Sequence, residues 1–205
     1  MNLISAITNQ PLTYYLDLEA QLSQKVTEPT LFTWIAPPTV IYGRHQAQEV
    51  EVNEAYCREH GIAVVQRQSG GGCVYADRGN LMLSYMEPTD KSQEVFARFL
   101  HFTSQALRQM GYDAVTTAHN DILVGEHKVS GTACYTLHQA TIVHATMLYD
   151  VDMDALEKAI TPTAEKLAKH AVASVRQRVI NLRQIKDVGD IIDFQKQLEH
   201  QLSNF

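Results

Sequence analysis

Apolar and polar positions change period several times along the chain, and each change marks an element. From Thr13 to Val26, apolar Tyr14, Leu16, Leu18 and Leu22 recur on successive turns, which predicts an amphipathic helix. The β-branched and aromatic runs Leu31 to Ile35 and Thr39 to Tyr42 predict strands, separated by Ala36-Pro37-Pro38. Val52 to His60 predicts a short helix stopped by Gly61. Ala63 to Gln66, Cys73 to Tyr75 and Asn80 to Met86 predict further strands. Ser92 to Met110 predicts the longest helix, with Val95, Phe96, Phe99, Leu100, Phe102 and Leu107 as its core stripe and Gly111 as its stop. Strand patterns then dominate to Leu148, followed by helical stretches at Asp154 to Ile160 and Gly189 to Leu202. No repeat or low-complexity linker interrupts this order. The expectation is one α+β domain over 1–205, with a mostly antiparallel β-sheet flanked by helices.

The segment from Gln66 to Ser84, QRQSGGGCVYADRGNLMLS, carries a different signal. Gly70-Gly71-Gly72 follow one apolar run, Ile62 to Val65, and precede another, Cys73 to Tyr75. Contiguous glycines between strands leave bare backbone that a ligand can approach. Their N–H groups can also turn into one concavity and form an anion nest. Arg67 and Ser69, just upstream, add a fixed cation and a hydroxyl. A phosphate or a carboxylate suits such a loop. No Lys-Ser/Thr follows, so this is not a Walker loop, and contiguous glycines before a strand do not fit a dinucleotide fingerprint. On the glycines alone, a turn or bulge without a ligand stays open beside the anion site.

Ile122-Leu123-Val124, Gly125-Glu126 and His127-Lys128-Val129 have the form of a hairpin whose two-residue turn starts with glycine. That turn pairs Val124 with His127, Leu123 with Lys128 and Asp121 with Ser130. Cross-strand partners share a face, so Asp121, Lys128 and Ser130 are expected to project together. A cation and a carboxylate placed there can grip an acyl phosphate and its metal ion. The bland alternative is a solvated hairpin lysine, since Lys is almost always exposed.

Composition narrows the classes. A chain of 205 residues is long enough for one sizeable core. The balance of 23 Asp+Glu against 17 Lys+Arg argues against nucleic acid as the main partner. No apolar run approaches the ~20 residues of a membrane span, and no basic-plus-apolar signal opens the chain. Cys57, Cys73 and Cys134 form no CxxC pair, and the nine histidines lack ligand spacing, so neither a disulfide framework nor a structural metal site is expected. A reduced, cytoplasmic protein is the default expectation.

Five blocks carry a more specific message. The first is Arg67-x-Ser-Gly-Gly-Gly-x-Val-Tyr-x-Asp-x-Gly-Asn-Leu-x-x-Ser. Upstream stands Val40-Ile41-Tyr42-Gly43-Arg44-His45-Gln46. Downstream follow Asn120-Asp121-Ile122-Leu123-Val124 with Lys128-Val129-Ser130-Gly131-Thr132-Ala133, then His144-Ala145-Thr146-Met147-Leu148, then Ser174-Val175-Arg176-x-Arg178-Val179-x-Asn181-Leu182. In this order they resemble the lipoate–protein ligase A family of the biotin/lipoate ligase superfamily. Ala145 replaces the glycine usual in that family's His-Gly-Thr-Leu-Leu block. Ala76 and Gln66 stand where many relatives have histidine and arginine.

The resemblance implies the biotin/lipoate ligase fold and an ATP-dependent activity. Lipoate would be activated with ATP and Mg²⁺ to lipoyl-AMP, and the lipoyl group passed to a carrier lysine. By the same resemblance Lys128 is the catalytic residue, a charge clamp on the adenylate and not a nucleophile. Arg67, Ser69, Gly70, Gly71, Gly72, Cys73, Val74, Tyr75, Asn120, Asp121 and Lys128 would bind ATP and lipoyl-AMP, with Arg67 bidentate on phosphate. Lys128, Gly71, Ser130, His144 and Thr146 would bind lipoate, and Asp121 would meet the Mg²⁺. The implied partners are lipoyl carriers: E2 subunits of 2-oxoacid dehydrogenases and the H protein of glycine cleavage. Typical bacterial relatives carry a smaller C-terminal accessory domain that matters most for activation. Its absence from this sequence raises a separate accessory protein as a further partner.

Other readings stay open. Octanoyl transferases take the acyl group from a carrier thioester through a cysteine in a Pro-Cys-Gly element. Here the matching stretch is Ile160-Thr161-Pro162-Thr163, with threonine in the cysteine's place. Transfer from a ready-made adenylate with a separate accessory subunit is a second alternative. Binding of lipoate or lipoylated domains without catalysis is a third, disfavoured by the joint presence of Lys128, Arg67, Asn120 and Asp121. The sequence does not choose between lipoate and octanoate, because an apolar tunnel discriminates little between them.

Overall fold

The computed structural model describes residues 1–5, 9–117, 121–160 and 179–205. In chain order the elements begin with β1 (Asn2–Ser5), α1 (Leu12–Ser23), β2 (Thr30–Trp34), β3 (Thr39–Tyr42), α2 (Gln48–Glu51), α3 (Glu54–Glu59), β4 (Ala63–Gln66) and β5 (Val74–Ala76). They continue with β6 (Asn80–Glu87), α4 (Ser92–Gln109), β7 (Ala114–Thr116), β8 (Asp121–Val124), β9 (His127–Leu137), β10 (Ala140–Leu148) and α5 (Met153–Ala159). A single turn, Leu182–Ile185, and a last helix, Ile191–Leu202, follow.

Seven strands form one sheet in the order β1-β2-β6-β10-β9-β8-β7, antiparallel except for the parallel pair β1 and β2. A second sheet has the order β4-β3-β5. Strand alternation sorts side chains onto two faces of the large sheet. Leu81, Leu83 and Tyr85 of β6, with Val143, Ala145 and Met147 of β10, pack under α4 and the last helix. Met82, Met86 and Ile142 face the other way and join Leu12 and Tyr15 of α1, together with Ile41 and Ala76 of the small sheet. The Tyr15 ring stacks on Trp34 with centroids 4.1 Å apart. Each large side chain buried there contributes roughly 1.5–3 kcal/mol. The space enclosed by α1, the small sheet and this face of the large sheet is where the site forms.

The α+β class and mostly antiparallel sheet agree with expectation, and most element bounds agree within a residue or two. The predicted helix from Val52 to His60 is different. Val52 is extended (φ −116°, ψ 133°), and α3 starts only after Asn53, whose side chain accepts from the Tyr56 N–H at 3.2 Å. An Asn in a capping position competes with helix continuation. The last helix begins two residues later than expected because Asp190 and Asp193 form a capping box that fixes its start. In α1 the fully buried stripe is Leu12, Tyr15, Glu19 and Ser23, while Tyr14, Leu16, Leu18 and Leu22, the stripe read from periodicity, are half-buried and pack against the same core. Strand β1 had no expectation attached to it.

Candidate active site

The glycine loop is shaped by sheet topology. β4 and β5 lie on opposite sides of β3, so the segment from Arg67 to Cys73 must cross over the end of β3. Gly71 makes the crossing at φ +92°, a conformation L side chains rarely adopt. Gly43, at the end of β3, sits so close that a Cβ there would lie 2.3 Å from the Gly71 carbonyl oxygen. The turn after β3 is tied in as well: the Arg44 N–H donates to the Ser69 carbonyl at 3.0 Å.

Arg67 organises this crossing from within. Its Nε donates to Ser69 Oγ (3.0 Å), Nη1 to the Ile41 carbonyl (3.1 Å), and Nη2 to the carbonyls of Gly70 (2.8 Å) and Gly72 (2.7 Å). Four of the five guanidinium N–H groups are thereby directed at protein acceptors. Burial lowers the Arg67 pKa and the nearby Cys73 acts in the opposite sense. Arg67 lies in the cavity wall but is only 7% exposed.

The β8–β9 hairpin departs from the expected register. Val124 pairs with His127 and Leu123 with Lys128, as the turn requires, but a bulge follows. Ile122 then pairs with Ser130, and Asp121 with Gly131. One extra residue reverses the faces beyond it. Ser130 therefore does not project beside Lys128 and Asp121: it is fully buried on the core face, its Oγ without a hydrogen-bond partner. Gly131 takes its place. A Cβ there would come 3.1 Å from both Cε and Nζ of Lys128, so the absent side chain leaves room for the lysine. Lys128 Nζ lies 2.8 Å from Asp121 Oδ1.

Arg67, Gly71, Gly72, Cys73, Val74, Asp121, Lys128, His144 and Thr146 line one cavity of about 280 Å³. Ser69 and Gly70 do not line it and act from behind the loop. Tyr75 is also outside the wall; it packs with Cys57 and Leu148 under the small sheet, where burial pushes its phenol well above the usual range. Asn120 lies outside the described residues, as do Thr161, Pro162, Thr163, Ser174, Val175, Arg176 and Arg178. The sequence reading named none of Leu12, Leu16, Trp34, Ile41, Met82, Gly131, Thr132, Ala133 and Ala145 as site residues, and these complete the wall. Met82 was legible from the period-2 pattern of its strand once an inner face was assigned. Leu12 and Leu16 needed tertiary placement of α1.

The floor of the cavity has a polarity gradient. One register row runs Trp34, Met82, Thr146, Gly131, Asp121 across β2, β6, β10, β9 and β8. At the spacing of neighbouring strands, four steps span roughly 19 Å. Trp34 and Met82 make one end apolar. Asp121, with Lys128 beside it, makes the other charged, and Gly71 and Gly72 of the glycine loop line the same cavity. Such a trough fits an amphiphile with an anionic head and an apolar tail.

Residues 11–203 match the family model of the lipoyl protein ligase A/B catalytic domain, and the chain belongs to that family. It is similar to lipoate–protein ligase 1 of Staphylococcus aureus, at 37% identity over 167 residues, 80% of this chain and 50% of that protein. Among solved structures, it is similar to a bi-partite lipoate protein ligase from Thermoplasma acidophilum, described with its E2 lipoyl domain (TM-score 0.82, 28% identity, 99% of this chain and 82% of that one). It is also similar to a lipoate-protein ligase A bound with ATP (TM-score 0.81, 27% identity, 100% of this chain and 85% of that one). The chain spans about half the length of the curated relatives it matches. Among the described residues, no helix is long and apolar enough to cross a membrane.

Proposed function

We propose that this chain performs the acyl-transfer chemistry of an ATP-dependent lipoate–protein ligase. The observation that carries the reading is the apolar-to-charged row from Trp34 to Asp121, closed by Lys128 and roofed by the glycine loop. A lipoyl tail lies along Trp34, Met82 and Leu16, and its carboxyl end meets Lys128. A carboxylate is a poor acyl donor, because its leaving group is oxide. Its attack on the α-phosphorus of ATP gives lipoyl-AMP and pyrophosphate. The ε-amine of a carrier lysine then attacks the carbonyl carbon, the C–O bond to AMP breaks, and the amine loses a proton.

In both steps negative charge grows on oxygen, and preorganised donors lower the barrier. Lys128 supplies the mobile donor, and the Gly71 and Gly72 backbone the fixed one. Arg67 serves by holding the loop in shape, with one N–H left for phosphate. Asp121 would hold Mg²⁺, which would neutralise charge on the nucleotide phosphates. One carboxylate plus phosphate oxygens is the donor set Mg²⁺ usually takes beside a nucleotide. The carriers are lipoyl domains: 2-oxoacid dehydrogenase E2 subunits and the glycine cleavage H protein. A separate accessory protein is a further proposed partner, supported by similarity to a ligase described as bi-partite.

Mass spectrometry of a carrier domain tests the proposal. The domain is incubated with this protein, lipoate and Mg²⁺, with and without ATP, and separately with synthetic lipoyl adenylate. Lipoylation from the adenylate is the expected minimum. No modification from either donor overturns the proposal.

A further inference from the structure

Glu19 is a fully buried carboxylate that does not line the cavity. It sits on the inner face of α1. Ser84 Oγ donates to its Oε1 at 2.6 Å and the Tyr135 hydroxyl to its Oε2 at 3.1 Å. His144 Nδ1 stands 3.3 Å from the same Oε2. On the far side of the ring, His144 Nε2 is 2.6 Å from Ser69 Oγ, which in turn receives Arg67 Nε at 3.0 Å. A continuous buried chain thus runs from α1 through β10 to the guanidinium that holds the glycine loop.

Donor inventory fixes the direction of this chain. An ionised carboxylate only accepts, so His144 Nδ1–H donates to Glu19, and in the neutral imidazole Nε2 is then an acceptor. Ser69 Oγ accepts from Arg67, which only donates, and turns its single hydrogen to His144 Nε2. Ser84 is free to donate to Glu19 because it already accepts from Trp34 Nε1 at 2.9 Å. We propose that Glu19 is a positioning residue of this site: it sets the His144 tautomer and, through Ser69, the seat of Arg67 and the shape of the Gly70–Gly72 loop. The proposal rests on the acyl-adenylate reading above only for what the loop binds.

The same three residues have the order of a nucleophilic Ser–His–carboxylate triad. Their setting argues for an anchor. Ser69 is 1% exposed, lies outside the cavity wall and has Arg67 Nε seated on its oxygen. A hydroxyl covered in this way has no approach to an acyl carbon.

The imidazole ¹⁵N shifts of His144 and the amide signals of Gly70–Gly72 test the relay in wild type and in Glu19→Gln. The Nδ1–H tautomer is expected in wild type. The variant is expected to gain Nε2–H character and to shift the loop signals, since an amide must place two hydrogens where only acceptors stood. Calorimetry with a non-hydrolysable lipoyl-adenylate analogue should read about tenfold weaker binding, the scale of one mis-set charged hydrogen bond. Unchanged His144 and loop signals in a folded Glu19→Gln protein overturn the relay. Should that variant fail to fold, Ser69→Ala cuts the relay at a smaller group, and unmoved Gly70–Gly72 signals there overturn it equally. An acyl adduct on Ser69 in the intact mass also overturns it, in favour of the nucleophile. Wild-type protein that does not bind the analogue sinks the functional reading instead, and the tautomer still decides the relay.

Discussion

Lys128 Nζ stands 2.8 Å from Asp121 Oδ1, and the two meet across a hairpin that carries one extra residue. Without the bulge, Ser130 would share their face. With it, Gly131 does, and the lysine folds over bare backbone. Both side chains are partly exposed, at 34% and 27%, so the ion pair itself adds little stability. Its consequence is placement. The carboxylate holds the ammonium at the charged end of the cavity.

Lys128→Met should therefore lose function and keep the fold. The substitution preserves the stem and deletes the charge. Loss of a charge-stabilising donor costs on the order of a hundredfold or more in rate. Carrier modification should drop by that factor with lipoate plus ATP and with presynthesised lipoyl adenylate alike, while the melting temperature moves by only a few degrees. Near-normal transfer from the adenylate would remove Lys128 from its assigned role.

The contact between Gly43 and Gly71 makes a second expectation. A Cβ at 43 meets the Gly71 oxygen at 2.3 Å, and one at Gly71 would need a strained φ of +92° and would approach Arg67 Nη2 to 3.0 Å. Gly43→Ala should cost about 1–3 kcal/mol by overpacking and push the loop off its seat. Gly71→Val should weaken binding of the adenylate analogue more than it lowers stability. Calorimetry on the two variants, beside urea denaturation, decides. Normal affinity in Gly71→Val means that the loop does not cradle the ligand.

Much of this site was legible in one dimension because its motifs are local. The glycine run and the hairpin turn are each set within a few residues, and they put Gly71 and Lys128 in the cavity wall, whereas His144 and Thr146, also in the wall, were named through the resemblance of their block. Ser130 was misplaced because a bulge leaves no mark in a two-residue period. That Arg67 also holds the loop was not legible, because its acceptors, the Ile41, Gly70 and Gly72 carbonyls, are backbone groups invisible to side-chain patterns. Glu19 escaped notice because it sits among apolar residues on an amphipathic helix. The donors that stabilise it, Ser84, Tyr135 and His144, come from distant strands.

Acid should act on the fold through Glu87. Burial pushes its carboxyl up, but bonds from Arg98 Nη2 (2.6 Å), Arg98 Nε (3.0 Å) and the Tyr85 hydroxyl (2.6 Å) outweigh this and hold its pKa below 4.5. A depressed carboxylate pKa gives stability that is present above the unfolded value and is lost as pH falls through the folded one. Glu87→Gln should be less stable at neutral pH by under about 1 kcal/mol, since Arg98 is half-exposed. The gap should close as pH falls well below 4.5. Urea midpoints across that range test the sign, and a constant gap contradicts it.

Transfer should survive replacement of Cys57, Cys73 and Cys134 by serine or alanine. A thioester route needs a thiolate, whereas an adenylate route already has AMP as its leaving group. Burial pushes the Cys57 and Cys134 thiols up, away from the thiolate. Cys73 is the cysteine in the cavity wall, so it carries the decision. The cysteine-free protein is assayed with lipoyl adenylate and a carrier domain, and the wild type is searched for an acyl adduct by intact mass. Retained transfer with no adduct supports direct attack of the carrier amine on the adenylate. An acyl-enzyme at Cys73, together with loss of transfer in the cysteine-free protein, would replace the ligase mechanism with a thioester relay. In that case Lys128 would stabilise the oxyanion of the thioester step, and Lys128→Met would lower acyl-enzyme formation as well as transfer.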